Sequence, residues 1–265
     1  IKFIIRESNI PSINLNFGIK GKFIKLLYNI VYKYADAIIC PGNGIKIDLE
    51  KNFSVNRSRI SVIPNPINYS EIQEKISKFE ISLPHHTHCL IASGSLTKQK
   101  GFDLLIKAMS LLVTKMNNVH LTILGAGREM KNLRNLITTE CLENVIDLHG
   151  YENNVYPYFS SADIFILSSR WEGMPNVVLV SLACGTPVVA FNCPGCLEEI
   201  IDTEKQGRLV PAGDISRLAE TIEEMLKQKM HHKGHSLLPK RFDIRSVASR
   251  YNDLFEQVLV NNTTH

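Results

Sequence analysis

The chain has 265 residues, of which 44% are hydrophobic, 21% charged and 8% aromatic. This balance excludes a disordered chain, a collagen or a coiled coil as a description of the whole protein. The 30 Lys and Arg residues exceed the 26 Asp and Glu residues by a net charge of only +4, so we expect no nucleic-acid partner. No apolar run is long enough to span a bilayer.

The six cysteines lie in apolar stretches, at positions 40, 89, 141, 184, 193 and 196. This spread predicts free buried thiols in a reducing compartment, although Cys193 and Cys196 have redox spacing. We therefore expect a cytoplasmic protein, with any membrane contact peripheral and on the inner face. The chain starts with Ile inside a strand-like run, and we expect further sequence before it.

Short runs of Ile, Leu and Val alternate with longer amphipathic segments. The predicted strands are residues 3–6, 37–40, 60–63, 89–93, 120–124, 145–148, 164–167, 187–190 and 209–210. Such short apolar runs are typical of parallel strands buried on both faces. Apolar residues at helical spacing follow residue 102, the N-cap candidate Asp214, and Asp243. The alternation predicts an α/β doubly wound fold.

A break in regular structure is predicted at Pro64-Asn65-Pro66, because prolines on both sides of Asn stop helices and strands. A softer break spans residues 228–240. Residues 1–64 hold only three strand candidates and two helices, which is enough for the last part of a domain of this class but not for a whole one.

Residues 18–34 form a basic amphipathic stretch. Its lysines and apolar residues include Lys20, Lys22, Lys25 and Lys33 beside Phe23, Leu26, Leu27 and Ile30. We interpret it as a core-packed helix with a lysine-covered outer face, and contact with a membrane surface is the alternative.

Ligands of parallel α/β sheets bind beyond the carboxyl ends of the strands. The loop 93–101 follows a strand, contains Gly94 and Ser95, and leads into a helix. The free N–H groups of a helix N-terminus, together with Lys100, would attract a diphosphate. An ordinary loop with solvated lysines is the alternative.

The loop 168–176 carries Glu172 just before a helix that is predicted to begin near Pro175. A carboxylate there can accept hydrogen bonds from sugar hydroxyls, while the free amides from Met174 to Val177 face an anion. The alternative is that Glu172 only complements the helix dipole.

Two other motifs are interpreted as structural. Gly125 and Gly127 begin a dinucleotide fingerprint, but Met130 stands where its third glycine belongs, so we expect a strand-ending turn. The histidines at 85–88 and 231–235 lie in predicted loops without Cys or carboxylate at ligand spacing, so we expect no metal site.

Together these loops resemble the retaining GT-B glycosyltransferases of family 4, over about residues 2–259. The segments that carry the resemblance are Val62-Ile63-Pro64-Asn65-Pro66-Ile67, Gly94-Ser95-Leu96 with Lys100-Gly101, Leu124-Gly125-Ala126-Gly127, His149-Gly150-Tyr151, Ser168-Ser169-Arg170-Trp171-Glu172-Gly173-Met174-Pro175-Asn176, Ala183-Cys184-Gly185-Thr186-Pro187-Val188-Val189-Ala190, Cys193-Pro194, Glu199-Ile200-Ile201 and Gly207 with Leu209-Val210.

The resemblance implies a GT-B-type α/β fold, with a complete C-terminal Rossmann-like donor domain and the last part of an N-terminal Rossmann-like domain. Residues 1–64 would be the remnant of the acceptor-binding domain. Residues 65–240 would bind the nucleotide sugar, and residues 241–265 would form a helix crossing back to the first domain. The alternative to a complete enzyme is a non-catalytic or split donor-domain fragment. Such a fragment would need a separate acceptor-domain chain as its partner.

The implied activity is transfer of a sugar, with retention, from a nucleotide diphosphate donor to a lipid-linked or cell-surface glycan acceptor, without a metal or other cofactor. The implied catalytic residues are Glu172 and Lys100. The implied donor-binding residues are Gly94, Ser95, Lys100, Gly150, Tyr151, Glu172, Met174, Pro175, Asn176, Val177 and Val180.

Three positions depart from the family pattern. Ser95 stands where the family usually has an Arg that pairs with the diphosphate, and Val180 stands where a second Glu accepts hydrogen bonds from the ribose. Cys196 replaces a common glycine. Because lost charge-assisted bonds weaken binding, we expect a lower donor affinity than is typical of the family.

Overall fold

The computed structural model describes residues 1–14, 18–78, 88–228 and 235–260, with the backbone alone for 18–20. The histidine-rich pieces 85–87 and 231–234 therefore lie outside the described residues. Each predicted strand has a counterpart whose ends differ from the prediction by two residues at most. Asp214 caps its helix as predicted, since its side chain accepts a hydrogen bond from Arg217 N at 2.9 Å.

The first sheet is small and parallel. Its strands, in the order β1-β2-β3, are β1 (Ile4–Arg6), β2 (Ala37–Cys40) and β3 (Ile60–Val62). Helices α1 (Pro11–Asn14) and α2 (Gly18–Tyr34) connect β1 to β2, and α3 (Asn43–Phe53) connects β2 to β3. The apolar residues Ile45, Leu49 and Phe53 of α3 are buried and pack in one cluster with Ile38 and Cys40 of β2.

The second sheet has six parallel strands in the order β6-β5-β4-β7-β8-β9. This is the Rossmann order, in which the chain starts mid-sheet, builds one half outward and then crosses to build the other. The strands are β4 (His88–Ser93), β5 (Val119–Leu124), β6 (Ile146–Gly150), β7 (Ile164–Leu167), β8 (Val188–Asn192) and β9 (Gly207–Pro211). The helices of this part are α4 (Tyr69–Ser77), α5 (Phe102–Val113), α6 (Met130–Thr139), α7 (Tyr156–Ser161), α8 (Asn176–Ala183) and α9 (Ile215–Lys227).

The two sheets share an apolar core. One cluster of buried residues continues from Ile38 and Leu49 of the first part to Phe165, Val178 and Leu182 of the second. The last helix, α10 (Ile244–Val260), packs Val247 and Leu254 on Ala37, Ile39 and Ile63 of the first part. The predicted α/β architecture, a complete six-stranded Rossmann-like sheet beside a smaller parallel sheet, is thus confirmed, whereas the division at residues 64 and 240 stays a prediction.

The interpretation of α2 as a core-packed helix with a lysine-covered outer face is wrong. Tyr32 is buried, but the apolar side chains on the opposite side of the helix are exposed to solvent. The helical period groups these residues correctly on one face, yet no described part of the protein packs over that face. Among the helices of the described ranges, none is long and apolar enough to cross a membrane.

Candidate functional site

Three neighbouring strands, β4, β5 and β6, end at the same edge of the large sheet. Gly94 N donates to Leu124 O at 3.0 Å, and Gly125 N donates to Gly150 O at 2.6 Å. A Cβ on Gly125 would lie 1.9 Å from Gly94 O, and the φ of Gly125 is +147°. Only glycine fits this approach, which holds the three strand ends together.

A cavity of about 420 Å³ opens at this edge. It is lined by Ser93, Gly94, Ser95, Leu124, Gly125, Ala126, Tyr151, Glu152 and Val155. Of these, Gly94, Ser95 and Tyr151 were predicted, and Gly150 precedes Tyr151 at the end of β6. The segment Gly125-Ala126 does end a strand, as predicted, but it also lines the cavity. The signal that could have predicted this cavity-lining role was the position of the segment directly after β5, beside the β4 loop.

Lys100 and Glu172 form an ion pair beside this cavity. Lys100 Nζ lies 2.6 Å from Glu172 Oε1, and the two side chains are only 17% and 7% exposed. Ser169 Oγ donates to the same carboxylate oxygen at 2.6 Å. The stem of Lys100 runs past Gly94, so the ammonium group is fixed between the β4 loop and the β7 loop. The predicted catalytic pair is thus brought together.

The two loops that carry this pair are joined by hydrogen bonds. Gln99 Nε2 donates to Trp171 O at 3.0 Å, Arg170 N donates to Gln99 O at 2.8 Å, and Ser168 Oγ donates to Lys100 O at 2.9 Å. Because several bonds span the two loops, Lys100 and Glu172 are held as one unit. Sequence reasoning missed these connections, since the residues are far apart in the chain.

Arg170 reinforces this junction through Asp103 at the start of α5. Its Nη1 and Nη2 atoms donate to Asp103 Oδ1 and Oδ2 at 2.9 and 2.7 Å. The hydrogen bond from the guanidinium holds the pKa of the Asp103 carboxyl below its usual value. Bidentate pairs of this kind fix geometry as well as charge.

Helix α8 begins directly after the Glu172 loop, with Pro175 at its N-cap position. Its first-turn amides, including those of Asn176 and Val177, have no acceptor within the helix and can face an anion. Val180 lies one turn further on, half-buried against the shared core. The predicted donor-binding residues from Met174 to Val180 therefore lie at the start of α8 and just before it, directly after the loop that carries Glu172.

The first part of the chain approaches the site closely at Gly173. A Cβ on this residue would lie 2.1 Å from Ser8 O, in the loop after β1. Asn65 of the linker donates to Met174 O at 3.4 Å and also bonds the Asn176 side chain. The carboxyl ends of the two parallel sheets thus face each other across the Glu172 loop.

Two Rossmann-like units facing each other in this way define a GT-B-type protein. A family model described as glycosyl transferases group 1 matches residues 73–239, and one described as glycosyltransferase family 4 matches residues 12–71. The chain belongs to the glycosyl transferases group 1 family.

Relatives agree with this assignment. A glycosyltransferase of Methanocaldococcus jannaschii is 31% identical over 77% of this chain and 51% of its own length. The N-acetylgalactosamine-N,N'-diacetylbacillosaminyl-diphospho-undecaprenol 4-alpha-N-acetylgalactosaminyltransferase of Campylobacter jejuni is 28% identical over 88% of this chain and 63% of its own length. The chain thus spans between about half and two thirds of these relatives.

Among solved structures, Anabaena HepE in complex with UDP matches 97% of this chain and 72% of its own, with a TM-score of 0.84 and 20% identity. At this identity the match establishes the fold.

Proposed function

We propose that this chain is the donor-binding part of a glycosyltransferase that moves a sugar from a nucleotide diphosphate to an acceptor hydroxyl, with retention of configuration. The observation that carries this proposal is the largely buried Lys100–Glu172 pair beside a cavity built by three strand ends, with the stem of Lys100 against Gly94 of the cavity wall. Membership in the glycosyl transferases group 1 family supports it.

The nucleoside of the donor occupies the cavity between the β4, β5 and β6 loops. Its diphosphate lies at Gly94 and Ser95, where backbone amides and the Lys100 ammonium supply positive charge. Lys100 has three donors and gives one to Glu172, so the others can bind phosphate oxygens. Glu172 and the amides from Met174 to Val177 orient the sugar.

Catalysis consists of stabilising the leaving diphosphate. As the bond from the anomeric carbon to the phosphate oxygen breaks, negative charge grows on the diphosphate, next to Lys100 and the N-terminus of α8. These groups are fixed before the reaction by the joined loops, so little reorganisation is needed. We propose that they take the part a divalent cation plays elsewhere, and that no metal or cofactor is needed.

The acceptor in this proposal is a lipid-linked or cell-surface glycan. The name of the Campylobacter jejuni relative describes a sugar on diphospho-undecaprenol, a lipid carrier. Such an acceptor is consistent with a cytoplasmic enzyme that works at the inner face of a membrane.

The second candidate is a donor fragment that needs a separate acceptor-domain chain or is not catalytic. One observation favours it: Val180 stands where the family pattern has a carboxylate that binds the donor ribose. In this case the chain binds nucleotide and transfers sugar only after a partner is added.

Calorimetry of the full chain with UDP and with GDP tests donor binding, and transfer to an undecaprenyl-diphosphate-linked sugar tests catalysis. Binding of either nucleotide, weaker than low micromolar, is expected because Ser95 and Val180 lack the family's charged groups. Failure to bind both nucleotides contradicts the donor site itself. Binding without transfer favours the fragment.

A further inference from the structure

Helix α2 presents one packed face and one uncovered apolar face. Tyr28 and Tyr32 face α3, where their rings lie 6.1 and 5.6 Å from that of Phe53, and Tyr32 Oη donates to Glu7 at 2.7 Å. Beside and opposite this packed face, side chains between 38% and 73% exposed form an apolar band. They are Phe23, Ile24, Leu26, Leu27, Ile30, Val31 and Tyr34. A band of this size marks an interaction surface.

The flank of this band is cationic. Lys22 and Lys33 lie along one border of the band, and residues 18–34 contain no Asp or Glu. A cavity of about 370 Å³ adjoins this flank, where Lys33 and Arg59 are its charged residues. Asn29 and Asn56 add amide donors to the same cavity. This combination of two cations and two amides suits a phosphate group.

We propose that α2 docks on an anionic lipid surface, with its apolar band in the acyl boundary and a lipid phosphate in the cavity beside Lys33 and Arg59. The surface of α2 matches an anionic membrane surface in its chemistry, since an interfacial helix combines a wide apolar face with lysines at its polar border. The inference deepens the proposed function, because a lipid-linked acceptor would lie in that membrane.

A purely protein partner explains less of this surface. It would cover the apolar band, but it would not account for the adjoining cavity, whose charged lining residues are the cations Lys33 and Arg59. A second copy of this chain would also bring like charges together at Lys22 and Lys33. Charge complementarity therefore favours lipid over self-association.

Vesicle sedimentation of the full chain tests the proposal, with vesicles of phosphatidylcholine alone and of an equal mixture with phosphatidylglycerol. Binding to the anionic vesicles is expected, weakening as salt is raised. The triple change Phe23→Ser, Leu27→Ser and Ile30→Ser should reduce it by at least about tenfold. The double change Lys33→Gln and Arg59→Gln should reduce it by about fivefold per charge.

Matched controls use similar residues elsewhere. Phe255→Ser with Leu259→Ser removes exposed apolar groups of α10, and Lys107→Gln with Lys131→Gln removes exposed charges of α5 and α6. Both pairs should leave vesicle binding unchanged. Melting temperature and UDP affinity, measured on every variant, separate loss of the surface from loss of the fold or of the donor site.

A second readout does not depend on removing the surface. Ile30→Trp should show a blue-shifted emission component with anionic vesicles, whereas Leu111→Trp on α5 should not. Absence of vesicle binding by the unmodified chain overturns the proposal. So does a shift of the chain from dimer to monomer on the triple change without any vesicle binding, since a second copy would then cover the band.

Discussion

Lys100 Nζ and Glu172 Oε1 lie 2.6 Å apart, although 72 residues separate them in the chain. Both side chains are largely buried, so neither charge is well solvated without the other. The pair therefore combines two properties: it fixes the junction of two loops, and it keeps an ammonium group at the cavity rim. These properties can be separated by experiment.

Lys100→Met should weaken UDP binding about ten- to a hundredfold, because a charge-assisted bond contributes about 1.5–3 kcal/mol. It should also lower the unfolding free energy by about 1–3 kcal/mol, since within the described residues the Glu172 carboxylate then keeps only the Ser169 hydrogen bond. Adding Glu172→Gln should restore stability but not UDP binding. Urea unfolding and calorimetry measure both, with Lys107→Met as the control. An unchanged UDP affinity would remove Lys100 from the donor site.

Asp103→Asn should lower the unfolding free energy by about 0.5–1 kcal/mol at neutral pH, a small value because both partners are more than a third exposed. The pKa of Asp103 is lowered chiefly by the hydrogen bond from Arg170. The contribution of the Asp103 carboxylate to the unfolding free energy is therefore present above the ordinary carboxyl pKa. It is lost as the pH falls through the lowered pKa of the folded state.

Urea unfolding of both forms between neutral and acid pH measures this dependence. The difference in unfolding free energy between the two forms should disappear at acid pH. Asp103→Asn should also cause little further loss of stability when Arg170→Gln is already present. A difference that persists unchanged at all pH values would show that the pair is not its source.

Ser95→Arg should raise UDP affinity about tenfold or more, because Arg can form charge-assisted bonds to the diphosphate. Ser95 is exposed at the cavity wall, so the longer side chain need not be buried. Ser95→Gln, which adds length without charge, is the control. If both substitutions act alike, the gain does not come from phosphate pairing.

Val180→Glu should strengthen UDP binding by about ten- to a hundredfold, since a carboxylate can accept bonds from both ribose hydroxyls. Val180 is half-buried, so its replacement can reach water and should disturb the fold little. Glu is also a good helix former. Calorimetry and melting temperature compare Val180→Glu with the neutral Val180→Gln. A large loss of stability without a gain in affinity would favour the non-catalytic fragment.

Iodoacetamide at neutral pH should modify Cys141 and spare the other cysteines of the folded chain. Cys141 is exposed, whereas the remaining thiols are buried. Burial raises the pKa of Cys193 to about 12 and that of Cys196 to about 11, so little thiolate is present. Peptide mass spectrometry identifies the modified cysteines. The control is the urea-unfolded chain, in which all six cysteines should react. Rapid modification of Cys193 would contradict its burial.

The strands and the loops at their carboxyl ends were predictable from sequence because the signal is local. Runs such as 164–167 are short and apolar throughout, which is typical of a strand buried on both faces. The positions of Gly94 and Glu172 after such runs then placed both residues at the same edge of a sheet. Buried thiols at Cys40 and Cys184 followed from apolar neighbours in the same way, whereas the same prediction was wrong for Cys141, which is exposed.

What the sequence could not decide is which distant groups meet and which faces remain uncovered. The pairing of Lys100 with Glu172, and of Arg170 with Asp103, depends on two βα loops being brought together by strands β4 and β7, which are neighbours in the sheet but not in the chain. The helical period of α2 grouped its apolar residues on one face, but periodicity carries no information about what packs there. Only the tertiary structure shows that face lying open beside a cationic cavity, because coverage is a property of the neighbouring elements and not of the helix itself.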